Sequence, residues 1–237
     1  MSLKGIEMNV NVVNEEAAPT ENLKTKKESK RYLYRFVKRI IDIIGGIVGC
    51  IILIPMSIIL FIVKAFSKEN KGPLFYEQLR IGKGGTEFRF YKYRSMVMHA
   101  DEKLWEYLNS NPEAKEEYTK YKKLKDDPRV TKMGKFIRKT SIDEFPQMIN
   151  VLKGNMSLVG PRPYLYREKE DMGEAYDEII KVKPGLTGLW QVNGRADTDF
   201  VARTKIDVEY IQKRNLWLDF KILMRTFLKV FLKEGAK

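Results

Sequence analysis

The stretch Asp42–Lys64, DIIGGIVGCIILIPMSIILFIVK, decides how this chain is organised, because its 21 interior residues, Ile43–Val63, carry no charge. At 1.5 Å per residue a straight helix of that length reaches roughly 31 Å, enough to span a bilayer core. Two features argue against a simple crossing. Pro55 sits in mid-run and removes a helical hydrogen bond, which predicts a kink. Both flanks are basic, with Arg35, Lys38 and Arg39 before the run and Lys64, Lys68 and Lys71 after it. The positive-inside tendency does not place two basic flanks comfortably on opposite sides of a membrane. A helix that enters, bends at Pro55 and returns to the same face satisfies both observations. The competing reading, a buried core helix of a soluble protein, suits an uncharged run with terminal lysines poorly.

Outward from this run, residues 1–30 are polar and aperiodic and read as a disordered lead-in. A basic, aromatic entry follows, KRYLYRFVKR at Lys30–Arg39. On the other side, Leu74–Tyr93 is two β-prone runs around Gly82-Lys83-Gly84-Gly85, the pattern of a hairpin. Those glycines lack phosphate-loop spacing and lead into a strand, so they read as a turn. Ala100–Lys125 is charged and helix-prone, interrupted at Asn111-Pro112, and Tyr164–Val182 also reads as helical. In the last helix, Leu216–Lys233, a basic stripe of Lys221, Arg225, Lys229 and Lys233 runs beside an apolar stripe of Leu216, Phe220, Leu223, Phe227 and Phe231. That pairing suits a helix lying in a membrane surface, and packing on a core explains the apolar stripe equally well. The expected fold class is α+β, mainly helical: a re-entrant membrane helix, a short β-hairpin, and interfacial amphipathic helices around a small globular catalytic domain. The expected division is a disordered segment at 1–30, the membrane helix at 31–66, and a cytoplasmic catalytic domain with its interfacial helix at 67–237.

Forty-four Lys and Arg against 31 Asp and Glu give a net charge of +13. Such an excess fits nucleic acid, an anionic membrane or a polyanionic substrate. The single cysteine, Cys50, excludes an internal disulfide, and one histidine, His99, without a Cys/His cluster argues against zinc. No secretory signal pattern stands at the N-terminus.

Candidate chemistry concentrates in Asp127–Pro163, DPRVTKMGKFIRKTSIDEFPQMINVLKGNMSLVGPRP. It sets the adjacent carboxylates Asp143 and Glu144 among Arg129, Arg138, Lys139 and Arg162, with Pro146 just after the pair. Cations of this kind hold phosphate esters, and a carboxylate attacks phosphorus or binds the metal that shields it. A structural reading coexists: Ser141-x-x-Glu144 is a capping box, and Asp143 stands where a helix dipole favours negative charge. Neighbouring residues point about 100° apart on a helix, which favours divided labour over a shared proton. Asp197-Thr198-Asp199 offers the triplet of metal-dependent glycosyltransferases, but one hairpin does not supply the parallel nucleotide-binding sheet such enzymes need. A basic nucleic-acid binder or a non-enzymatic membrane adaptor explains the charge, yet neither explains the apolar run together with the Asp-Glu block.

The same block resembles the bacterial sugar transferases, the polyprenyl-phosphate sugar-1-phosphate transferases also called monotopic phosphoglycosyl transferases. The resemblance rests on Asp127-Pro128-Arg129, on GKFIRKTSIDEFPQ at Gly134–Gln147, and on NVLKGNMSLVGPRP at Asn150–Pro163. It extends to Gly72-Pro73, Gln78, Arg80, Tyr91–Met96 and Lys183–Arg195, and covers roughly Tyr34–Phe231. The resemblance implies transfer of a sugar-1-phosphate from a nucleotide diphosphate sugar, usually UDP-linked, to polyprenyl (undecaprenyl) phosphate. This is the initiating membrane step of bacterial polysaccharide or glycoconjugate assembly, with downstream glycosyltransferases as further partners and no nucleic acid. It implies Asp143 as nucleophile and Glu144 as its partner, with Mg²⁺ close by and its ligand among the two left open. Arg138 would hold phosphate; Arg129, Arg162, Gln191 and Arg195 are further phosphate or nucleotide candidates. Lys38, Arg39 and Pro55 would set a monotopic placement on the cytoplasmic face of the cell membrane. Larger members carry extra transmembrane helices and a soluble domain, so the chain reads as a near-minimal version.

Overall fold

A computed structural model of the chain describes residues 18–67, 72–193 and 198–232. Residues 38–237 form one compact unit, and residues 1–37 another. The long helix α1 covers Ala18–Ala65. It starts inside the segment 1–30 that the sequence reads as a disordered lead-in. Pro19 fits the first turn of a helix, where its missing N–H is unneeded, and the strongly helical run behind it propagates one residue at a time. Helical assignment continues through Pro55. Two residues on, Ser57 Oγ donates to the Leu53 carbonyl at 2.7 Å.

Within the compact unit, one face of α1 is docked over nearly its whole apolar length. Its glycines allow close approach: a Cβ on Gly45, Gly46 or Gly49 would come within 2.6, 2.8 and 2.4 Å of Leu158, Leu152 and Met148. Further along, Leu53 and Leu60 are buried with Tyr93 and Ile137, and the Lys64 ammonium donates to the Gly72 carbonyl. Each such aliphatic side chain removed from water contributes about 1.5–3 kcal/mol. The opposite face stays open and apolar, with Ile44, Ile51, Ile54, Ile58, Ile59 and Phe61 all exposed. Two of the cations before the run, Lys38 and Arg39, are engaged inside the protein. Lys38 pairs with Asp219 at 2.7 Å, and Arg39 donates to the Val151 and Leu152 carbonyls at 2.8 and 2.9 Å.

The hairpin joins β1, Phe75–Ile81, to β2, Glu87–Tyr93, antiparallel, with a 3₁₀ turn at Lys83–Gly85 where the glycines were read as a turn. Register places Tyr76, Gln78 and Arg80 opposite Lys92, Phe90 and Phe88, so these six share one face. Helices α2, Ala100–Ser110, and α3, Pro112–Tyr121, break at Asn111 as expected, because Asn111 caps the Ala114 N–H and Pro112 starts a new helix. Next come α4, Lys132–Lys139, and α5, Gln147–Lys153, then β3, Ser157–Val159, which pairs in parallel with β4, Gly185–Thr187. The Tyr164–Val182 region forms two short helices, α6, Lys169–Met172, and α7, Ala175–Ile179, separated at Gly173 with its positive φ of 53°. Helices α8, Leu189–Asn193, α9, Phe200–Lys213, and α10, Leu216–Leu232, complete the domain. The main core gathers Phe88, Phe90, Val151, Met156, Tyr164 and Tyr210 among others. The architecture is mainly helical with short β pairs, as the α+β reading expected.

Candidate active site

Asp143 and Glu144 lie in a single 3₁₀ turn, Ile142–Glu144, between α4 and α5. The expected capping box does not form. Ser141 adopts a left-handed backbone, φ 56°, and makes no side-chain cap, while Glu144 turns towards the hairpin instead of its own N-terminus. A half-buried cation there competes better for a carboxylate than a backbone N–H does. That cation is Lys92 of β2, whose ammonium donates to Glu144 Oε1 at 2.6 Å and lies 3.6 Å from Asp143 Oδ2.

Lys92 therefore bridges two carboxylates in unlike surroundings. Asp143 is 6% exposed, and burial, with the Glu144 charge beside it, raises its pKa above the usual carboxylate value against the pull of Lys92 and Arg138. This corrects the expectation that a helix N-terminus keeps it readily ionised. Glu144 keeps 44% of its side chain open. Its partial burial works to raise its pKa, but the Lys92 charge and hydrogen bond, aided by Arg162 and Arg80, prevail and hold it low.

Among the other expected residues, Arg138 belongs to this pole: its Nε donates to Ser95 Oγ at 2.8 Å, and its charge acts on Asp143. Arg162 faces the Glu144 side; its guanidinium carbon lies 5.9 Å from the centre of the Trp190 ring, and its backbone N–H donates to Asp207 Oδ2 at 3.0 Å. Arg129 is tied elsewhere. It forks onto Asp127 at 2.8 and 2.6 Å and donates to the Ala100 carbonyl at 3.2 Å, so it braces the approach to α4. Gln191 sits on α8 with a buried Oε1 that has no hydrogen-bond partner. Arg195 lies outside the described residues, as do Lys68, Lys71 and Asp197.

Lys92, Arg80 and Arg203 are the cations that motif reasoning left without a role. The signal for the first two was present: on the Phe88-Phe90 face of the hairpin, alternation demands apolar residues, and Lys92, Gln78 and Arg80 break it. On α9 the buried stripe Phe200, Thr204, Tyr210 and Ile211 is likewise interrupted by Arg203 and Asp207. Asp207 accepts from Tyr164 Oη at 2.8 Å, and burial pushes its pKa up to about 6.

No three His, Cys, Asp or Glu side chains converge among the described residues. The acidic pair still fits Mg²⁺, which characteristically takes one or two carboxylates and completes its shell with water and substrate phosphate oxygens. Chemically, the arrangement offers a buried carboxylate under the influence of two cations, beside a second carboxylate that is open to solvent.

Over 202 residues the chain is 46% identical to an undecaprenyl-phosphate galactose phosphotransferase of Salmonella typhimurium, covering 85% of this chain and 42% of that protein. It is 41% identical over 209 residues to a UDP-glucose:undecaprenyl-phosphate glucose-1-phosphate transferase of Klebsiella pneumoniae, covering 84% and 41%. It is 40% identical over 199 residues to the exopolysaccharide production protein ExoY of Sinorhizobium fredii, covering 84% and 87%. The chain thus spans less than half the length of the first two and most of the third. Residues 33–233 match the family described as bacterial sugar transferase, a match that takes in most of the long helix, the hairpin and the Asp143-Glu144 turn, and the chain belongs to that family.

Proposed function

We propose that this chain transfers a sugar-1-phosphate from a UDP-sugar to undecaprenyl phosphate, releasing UMP, at the start of exopolysaccharide or glycoconjugate assembly. The observation that carries the reading is the buried Asp143 beside Lys92, in a turn whose other carboxylate is open. An Asp143 oxygen attacks the β-phosphorus of the donor, and the bridging P–O bond breaks with its electrons leaving on UMP. The resulting acyl phosphate is attacked by an oxygen of the lipid phosphate, and the Asp143 carboxylate departs. Arg138 and Lys92 hold the reacting phosphoryl group, and the low-dielectric pocket strengthens both attractions. Mg²⁺ held by Asp143 or Glu144 supplies neutralisation of charge on the phosphate oxygens. Incubation with labelled UDP-sugar and Mg²⁺, without lipid, should release UMP and leave one label equivalent on the protein. Intersecting initial-rate lines with no trapped label would overturn the covalent step.

Membrane placement follows from α1. Its docked face holds the domain on both sides of Pro55 while its open face is apolar, which supports a shallow re-entrant helix over a perpendicular crossing. On α10, Leu216, Trp217, Phe220 and Met224 are exposed, which offers part of its apolar stripe to lipid. Part of its basic stripe is taken up by α8: Arg225 donates to Asn193 Oδ1 at 2.7 Å and Lys229 to the Gln191 carbonyl at 3.4 Å. The domain then faces the cytoplasm, where the nucleotide sugar and downstream glycosyltransferases meet it. Single cysteines replacing Ser29 and Ser67, in a Cys50→Ser background, should both react from the cytoplasmic side. Reaction of the pair from opposite sides would establish a full crossing.

A further inference from the structure

Three arginines crowd the Glu144 side of the site without an ion pair. Arg80, on the inner face of the hairpin, donates to the Pro163 carbonyl at 3.0 Å and to Gln78 Oε1 at 2.9 Å, and its Nε has no partner. Arg203 is only 2% exposed; its Nε donates to the Thr198 carbonyl at 2.9 Å, and its Nη2 has no partner. Arg203 lies 4.8 Å and Arg162 5.9 Å from the centre of the same Trp190 ring. None of the three makes a salt bridge among the described residues.

The acidic groups around them bond elsewhere. Glu168 accepts from the Leu165 N–H, Asp199 caps α9 through the Ala202 N–H, Asp207 serves Tyr164 and the Arg162 N–H through Oδ2 while its Oδ1 has no partner, and Glu144 holds Lys92. Burial and the charge of Arg162 push Arg80 down to about 10, and burial and Arg162 lower Arg203 as well. Two arginines with buried, unpartnered N–H groups, Arg80 and Arg203, beside a third and half-buried one, Arg162, are costly unless an anion joins them. Planar guanidinium forks match the oxygens of a phosphate group better than any other biological anion except a carboxylate.

We propose that Arg80, Arg162 and Arg203 form a phosphate subsite separate from the reacting position at Asp143. Its ligand class is a phosphate ester, and two substrates of the reading above supply one: the phosphate next to the nucleoside, and the lipid phosphate. The charge layout favours the nucleotide. Arg80 and Arg162 act on Glu144, and Arg138 acts on Asp143 more than on Glu144, so cations stand on both sides of the acidic turn, as a bound diphosphate requires. The proposal rests on the phosphoglycosyl reading only for the source of its phosphate.

The test uses the full chain in detergent with Arg203→Lys and, because Arg203 is so deeply placed, Arg80→Lys as well. Each keeps the charge and loses the fork. Calorimetry with UMP, initial rates against UDP-sugar and undecaprenyl phosphate, and the thermal midpoint without ligand are measured. The expected result is about tenfold or greater loss of UMP affinity with a matching rise in donor KM, and a midpoint close to wild type. Unchanged UMP binding with a raised KM for the lipid alone would support the subsite and assign it to the acceptor. UMP affinity and both KM values within about twofold of wild type in a folded Arg80→Lys or Arg203→Lys protein would overturn it. Wild-type protein that binds UMP, loses that binding in the variants and yet forms no labelled adduct would sustain the subsite while sinking the covalent reading.

Discussion

The two sides of the acidic turn are one residue apart in the chain and opposite in character. On the Asp143 side a carboxylate is buried and its pKa is raised; on the Glu144 side a carboxylate is open, hydrogen-bonded to Lys92 and its pKa is lowered. The difference teaches how a single cation sorts two identical functional groups. Lys92 gives its short contact to Glu144 and attracts Asp143 from 3.6 Å, so in the proposed reaction Asp143 has the looser partner to displace. A nucleophile needs that freedom, whereas a residue that holds metal or orients phosphate gains from being fixed.

The sharpest way to break this contrast is to exchange the two functions by amide substitution. Asp143→Asn should cut turnover by about a thousandfold or more and abolish the labelled adduct, because no oxygen of sufficient nucleophilicity remains. Glu144→Gln should leave adduct formation detectable and reduce its rate by about ten- to a hundredfold, as removal of one positioned polar group does. Single-turnover UMP release measures both. Equal losses in the two variants would erase the division.

A smaller effect sharpens it. Because the Asp143 pKa is raised, the fraction of reactive carboxylate grows as pH rises, and the half-reaction should fall off on the acid side above the range of an ordinary carboxylate. Lys92 lowers that pKa, so Lys92→Met should move the acid limb to still higher pH, in addition to slowing the reaction. An acid limb that stays in place in Lys92→Met would remove Lys92 from control of Asp143.

What could be read in the chain and what could not divides along similar lines. The apolar run, the hairpin around Gly82–Gly85 and the break at Asn111-Pro112 are written in local pattern and appear in the fold. The Asp143-Glu144 pair was legible as chemistry through its motif. Its environment was not: the capping box Ser141-x-x-Glu144 is a local rule, and it lost to a lysine 52 positions away in sequence, brought in by strand register. Arg129 shows the local rule holding instead, since its near neighbour Asp127 pairs with it. Arg203 and Asp207 announce themselves only once α9 is known to be buried along that face.

The contacts of α1 carry a consequence for how such a protein meets its lipid. Arg39 grips the last carbonyls of α5, Asp42 accepts from Ser157 Oγ and the Leu158 N–H at 2.9 and 2.8 Å, and the three glycines leave no slack between the elements. A helix of seven residues is about 10 Å long, and the acidic turn stands just beyond its other end. In the proposed placement the anchor therefore works as a gauge: how deeply α1 settles fixes the height at which the carboxylates stand above the headgroup plane. Bilayer thickness and headgroup packing then become determinants of catalytic reach, since a lipid phosphate must rise to a level the protein cannot lower without unfastening α5.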